Sequence, residues 1–246
     1  MSPVYLVGAG PGSADLLTLR AARVLQEAEV VLYDRLVSPE VLALVNPQAQ
    51  RIYVGKTRGQ QDKQEQILHL LLSHARAGRK VVRLKGGDPM VFGRGAEEWL
   101  HLAQAGIPVE LVPGLSSAVA LPGLWGIPLT MRGLASGFAV ISGQMQEGAV
   151  PNLAAYAQVD TLVILMGVER RVDLARALLQ AGRPPLEPAA FIENGTTPSE
   201  RLLLTDLQAI AQGRVEVQAP AVWIQGSVVG VQQKLHKTKE EYVVAV

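Results

Sequence analysis

The chain has 246 residues, of which 48% are hydrophobic and only 18% charged, with a formal net charge of +1 and no cysteine. That length and apolarity support one large domain or two small ones with their own cores and exclude a disordered chain. Near-neutrality without a long Lys/Arg run argues against a nucleic-acid partner; the lack of cysteine excludes disulfides, thiolate catalysis and cysteine-ligated metals; and no apolar run reaches the roughly 18 residues of a membrane-spanning helix.

In chain order, Val4–Val7 reads as a strand and Leu16–Ala28 as a helix that Asp15 is placed to cap. Val30–Tyr33 and Arg51–Val54 are further strands, and Gln61–Ala77 is a periodic helix stopped by Gly78. Val81–Leu84 and Val109–Val112 bring the strands to five. Strands alternating with helices predict a mostly parallel sheet covered on both faces. From Pro113 to Pro128 proline and glycine cluster, which marks a connection holding a short helix from Ser116 to about Leu121. The spacing therefore predicts an N-terminal α/β lobe over residues 1–113 and a C-terminal α/β lobe over 114–246 that includes the connection. The second lobe reads as strands at Phe138–Ser142, Thr161–Met166, Ala189–Ile192, Arg201–Leu204 and Ala221–Gln225. Its helices are Glu169–Ala181 and Asp206–Gly213. Two strands flanking the Asn194–Pro198 turn make this sheet mixed. With no basic leader ahead of Val4 and no cysteine, the expected location is the cytoplasm.

The chemistry-bearing residues follow the strands. Gly8-Ala9-Gly10-Pro11-Gly12 lets the backbone turn sharply and approach a ligand, or is simply a tight strand-to-helix turn. A dinucleotide fingerprint would have glycine or alanine where Ser13 stands, which counts against a nicotinamide dehydrogenase. Tyr33-Asp34-Arg35-Leu36 and Gly55-Lys56 end the second and third strands. Lys85-Gly86-Gly87-Asp88-Pro89, followed by Phe92-Gly93-Arg94-Gly95 and Glu97-Glu98, offers backbone N–H groups in the manner of an anion-binding nest. Val112–Ala118 carries Ser116 and Ser117 at a helix start, where one of them is a possible cap. Arg132 is a further cation for acidic substrates. Met166-Gly167 and Glu193-Asn194-Gly195-Thr196 each follow a strand. The four histidines show no close metal-ligand pairing, and no Walker motif or nucleophile elbow is present.

Taken in this order, Gly8–Gly12, Tyr33–Val37, Lys85–Glu98, Val112–Ala118, Pro128–Gly133, Met166-Gly167 and Asn194–Thr196 resemble the tetrapyrrole methylases over nearly the whole chain. The Tyr33–Leu36 and Lys85–Gly95 stretches point to the members that act on uroporphyrinogen III. The resemblance implies the two-lobed tetrapyrrole methylase fold with S-adenosylmethionine between the lobes, a homodimer, and S-adenosylhomocysteine as by-product. It implies methylation of uroporphyrinogen III at C2 and C7, through precorrin-1, to precorrin-2 for siroheme and cobalamin synthesis. It carries Pro11, Gly86, Gly87, Asp88, Val91, Ser116, Ser117, Met166 and Gly195 over as cofactor contacts, Asp34 as proton acceptor and Lys56 as proton donor. The acidic substrate nominates Arg35, Arg94 and Arg132 as its anchors. No dehydrogenase segment precedes Met1, so the single-function form is expected. Met131 and Gln144 stand where the family usually has histidine, and no catalytic role is assigned to either.

Overall fold

The computed structural model describes residues 2–55, 63–144 and 152–235. The chain divides into two units, Met1–Ser116 and Ser117–Val246.

The first unit runs β1 (Val4–Gly8), a 3-10 turn (Ala14–Leu16), α1 (Leu19–Gln26), β2 (Val30–Tyr33) and α2 (Pro39–Ala43). It continues with β3 (Gln50–Tyr53), α3 (Lys63–Arg76), β4 (Val81–Lys85), α4 (Gly95–Gln104) and β5 (Val109–Val112). The five strands are all parallel, in the order β3-β2-β4-β1-β5. Because side chains alternate along a strand, the sheet feeds two cores. Val7, Val31, Val82, Leu84 and Val112 pack under α1 and α2. Val4, Val30, Leu32 and Val81 pack under α3 and α4, against Ile67, Leu71 and Leu102.

Local chemistry explains most boundaries. The helix expected over Leu16–Ala28 begins at Leu19, and its cap is Thr18, not Asp15. The Thr18 hydroxyl accepts from Ala21 N at 3.2 Å, while Asp15 lies in the preceding 3-10 turn and takes the Ser13 hydroxyl. Helix α2 was not expected; Ser38 caps it by accepting from Val41 N at 3.2 Å, and Pro39 opens it with a preset φ. Gly78 follows α3 at φ +74°, as a helix stop requires.

The second unit holds α5 (Ser117–Leu124), β6 (Phe138–Ser142), a 3-10 turn (Leu153–Tyr156), β7 (Thr161–Leu165) and α6 (Arg171–Gln180). After these come β8 (Pro188–Glu193), β9 (Arg201–Asp206), α7 (Leu207–Ala211) and β10 (Ala221–Gln225), with helical backbone again over 229–235. Its sheet is mixed, in the order β6-β7-β10-β8-β9: β6 and β7 are parallel, β10 runs against both its neighbours, and β8-β9 is the antiparallel hairpin around Asn194–Pro198. One face meets α6 and α7 through Leu162, Ile164, Phe191 and Trp223, the last two rings 5.2 Å apart. The other packs against α5 through Val163, Ile192 and Ile224. Asp206 caps α7 by accepting from Ala209 N at 2.8 Å. Among the described residues no helix is long and apolar enough to cross a membrane.

Candidate functional site

In a parallel sheet every strand ends on the same edge, so the motif loops of the first unit share one rim. There the loops after β1, β4 and β5 interlock. Ala9 N donates to Lys85 O at 2.7 Å, Gly10 N to Gly87 O at 3.1 Å, and Gly87 N to Gly10 O at 2.7 Å. A Cβ on Gly8 would stand 2.5 Å from Gly114 N and 2.6 Å from Gly87 O. One on Gly114 would stand 2.3 Å from Gly87 O. Backbone lies against backbone here, so these positions exclude any side chain. Gly86 serves the same end toward β2, since its Cβ would meet that of Leu36 at 2.7 Å. Ser38 ties α2 to the rim by donating to Gly12 O at 2.6 Å.

Asp88 joins two of these loops. One carboxylate oxygen accepts from Met90 N at 2.8 Å and the other from Gly114 N at 3.0 Å. Asp34 is half-buried at the end of β2 and accepts from Leu36 N at 3.1 Å; Arg35 beside it is exposed. Pro11, Gly86 and Gly87 are half-buried and Val91 is exposed on the same set of loops. Arg94 is exposed at φ +59°, and its Nε lies 3.0 Å from both oxygens of Glu97, so a substrate carboxylate would have to compete with Glu97 for it. Ser116 directly precedes α5, and Ser117 opens it. Lys56 lies outside the described residues.

The second unit repeats the design. Strands β6, β7 and β8 run in one direction, because β10 is antiparallel to both β7 and β8, so Gly143, Met166-Gly167 and Asn194–Thr196 lie on one edge. A Cβ on Gly143 would stand 2.5 Å from Gly167 Cα. Gly195 sits where its Cβ would meet Leu121 of α5 at 2.4 Å. Met166 is exposed, at φ +56°, with Asn194 at +47° and Thr196 at +61°. Together with Phe92 and Arg94 these are all the non-glycine residues of positive φ among the described residues, and every one falls in a loop singled out by its motif. Left-handed backbone costs a side-chain-bearing residue free energy and collects where function holds it. Met131 and Ala135 bond each other's backbone at 2.9 Å in both directions, which leaves Arg132 exposed on a tight loop. Gln144 N donates to Ser142 Oγ at 3.1 Å.

A basic pair escaped the sequence reading in part: Arg83, two residues before Lys85, is buried beside Asp34, with Nη2 3.7 Å from Asp34 Oδ2. The signal was present as two cations at strand spacing inside the otherwise apolar run Val81–Lys85.

The glycine turns place bare backbone at the strand ends, where open α/β sheets hold their ligands.

The family profile described as Tetrapyrrole (Corrin/Porphyrin) Methylases matches residues 3–211. A siroheme synthase of Nitrosococcus oceani is 47% identical over 238 residues, covering 94% of this chain and 51% of that protein. The S-adenosyl-L-methionine-dependent uroporphyrinogen III methyltransferase of Arabidopsis thaliana chloroplasts is 46% identical over 236 residues, covering 92% of this chain and 63% of that protein. The chain thus spans about half to two-thirds of the length of these curated relatives. A uroporphyrin III C-methyl transferase from Thermus thermophilus has been solved in its native form and complexed with S-adenyl homocysteine. Each structure matches with a TM-score of 0.85 and 56% identity, covering 94% of this chain and 100% of the other.

Proposed function

We propose, from the premise that this chain belongs to the tetrapyrrole (corrin/porphyrin) methylases, that it is a uroporphyrinogen-III C-methyltransferase dependent on S-adenosylmethionine. The observation that carries this reading is the match at 56% identity to the whole of the Thermus transferase, whose second structure holds the demethylated cofactor. The reaction is methylation at C2 and then C7, with precorrin-1 as intermediate and precorrin-2 as product, and siroheme or cobalamin synthesis as the destination.

The glycine loops are assigned to the cofactor. Pro11, Gly86, Gly87, Asp88, Val91, Ser116, Ser117, Met166 and Gly195 are assigned to it. The bound cofactor supplies an electrophilic methyl group on a sulfonium. The chain's residues supply orientation and proton handling. Attack by an electron-rich pyrrole carbon leaves the macrocycle cationic. A proton must then leave, the electrons of its bond returning to the ring, and Asp34 is assigned as its acceptor. Lys56 is assigned as the donor. Arg35, Arg132 and, in competition with Glu97, Arg94 are assigned to substrate carboxylates.

The active form is assigned as a homodimer in the cytoplasm, a setting that suits a cysteine-free chain. Incubation with uroporphyrinogen III and methyl-labelled S-adenosylmethionine tests the activity, with doubly methylated product expected. Absence of precorrin-2 points instead to a methylase acting on a later corrin precursor. Asp34→Asn and Lys56→Met should each reduce turnover at least a hundredfold; wild-type rates in either would remove that residue's role.

A further inference from the structure

Arg83 and Lys85 are two apart on β4, so both side chains leave the sheet on the face covered by α3 and α4, and each residue is only 4% exposed. Glu98, in the first turn of α4, is fully buried against them. Its Oε1 accepts from Lys85 Nζ at 2.8 Å, and from Arg83 Nε and from Gln64 Nε2 at 3.3 Å each. The Arg83 guanidinium also donates to Leu84 O at 2.9 Å and Leu32 O at 3.4 Å, which leaves Nη2 turned to Asp34 Oδ2 at 3.7 Å. Glu98 Oε2 is buried without a hydrogen-bond partner among the described residues.

Stability alone is a poor reason for this cluster. Three buried charges and an unsatisfied carboxylate oxygen cost more to desolvate than an apolar set of similar volume, and such replacements are often neutral or stabilising. The cluster also carries one more positive than negative charge, and that surplus faces Asp34. Burial first, then the neighbouring Arg83, pushes the Lys85 ammonium below its usual range, against the pull of Glu98 and Asp34. Among the described residues, the charged groups turned toward Asp34 are Arg83 and Lys85 on β4, with Glu98 on α4 behind them; Gln64 of α3 is polar and Arg35 is exposed.

We infer that Arg83, Lys85 and Glu98 are positioning residues for Asp34: Glu98 fixes the two basic side chains, and Arg83 Nη2 sets the direction and charge environment of the carboxylate that receives the proton. This rests on Asp34 being the acceptor. Each residue acts through Asp34 and touches neither substrate nor cofactor.

The test measures methyl transfer against pH and S-adenosylhomocysteine binding by calorimetry on the same preparations. Arg83→Met should lower kcat by about a hundredfold, move the acidic limb of kcat to higher pH, and leave the stoichiometry of S-adenosylhomocysteine binding unchanged. Arg83→Lys should restore about tenfold of that loss, because a cation returns without the fork geometry. The near-isosteric Glu98→Gln should move the acidic limb the opposite way, since it leaves two cations facing Asp34 unneutralised. Adding Arg83→Met to Asp34→Asn should lower the residual rate no further. The inference is overturned if Arg83→Met and Glu98→Gln lose activity only in proportion to lost binding sites, with the pH profile in place, or if the double variant shows additive losses. Wild-type turnover in Asp34→Asn alone would instead remove the acceptor on which the inference rests, a separate outcome.

Discussion

Asp88 and Gly114 are twenty-six positions apart and joined by one bond: Gly114 N donates to Asp88 Oδ2 at 3.0 Å. With Met90 N on the other oxygen at 2.8 Å, the carboxylate buckles the loop after β4 to the loop after β5. Hydrogen bonds to a charged group contribute about 1.5–3 kcal/mol each when solvent is partly excluded. Asp88→Ala should therefore lower unfolding free energy by about 2–3 kcal/mol and weaken S-adenosylhomocysteine binding at least tenfold. Asp88→Asn should recover part of the stability, since its amide accepts only one of the two N–H groups. Urea denaturation and calorimetric titration read both effects; an unchanged urea midpoint in Asp88→Ala would show that the buckle contributes nothing.

The interlocked glycines predict a contrast between positions. Gly8→Ala and Gly114→Ala would press a methyl group against backbone atoms at 2.3–2.6 Å. Such overpacking costs about 1–3 kcal/mol and displaces the rim. Gly123→Ala meets nothing within 4 Å and lies in α5, so it should be neutral or raise stability by about 0.5 kcal/mol. Thermal midpoints of the three variants decide; equal midpoints would remove the steric account of the loops.

Lys85 predicts a pH dependence whose sign is fixed. Its folded pKa lies below the ordinary lysine value of 10.5, to which it returns on unfolding. Between the two values the unfolded chain binds more protons, so the Lys85 contribution to stability is full above 10.5 and is lost as pH falls through the folded value. The unfolding free energy of the wild type minus that of Lys85→Met should become more favourable as pH is raised through the alkaline range toward 10.5. Urea titrations of both proteins at several alkaline pH values measure it, and a flat difference would mean that burial does not perturb Lys85.

The cap of α1 is also open to trial. Thr18→Ala should cost about 1 kcal/mol through loss of the bond to Ala21 N. Asp15→Ala should change the thermal midpoint little, because Asp15 takes the Ser13 hydroxyl and does not cap α1. The reverse order of effects would return the cap to Asp15.

Much of this protein is local and therefore visible in a linear string. Short apolar runs followed by glycine turns specify strands and their ends, because side-chain alternation and φ preference depend on near neighbours alone. The hairpin around Asn194–Pro198 and the stop at Gly78 are of this kind. Ser38-Pro39 was equally legible and went unread. Asp15 and Thr18 were both eligible caps three residues apart. The fold selected Thr18, whose hydroxyl also reaches Pro113 O at 3.4 Å from the far end of the unit.

The order of motifs along the chain was sufficient to indicate the family and to nominate Asp34. Only the tertiary structure could show that Gly8, Gly87 and Gly114 lie backbone to backbone, or that Arg83 and Glu98 stand behind Asp34. Those relations depend on β4 pairing between β1 and β2 and on α4 crossing the same face of the sheet. No local pattern carries them, because the free energy that selects such pairings comes from burying surfaces remote in sequence.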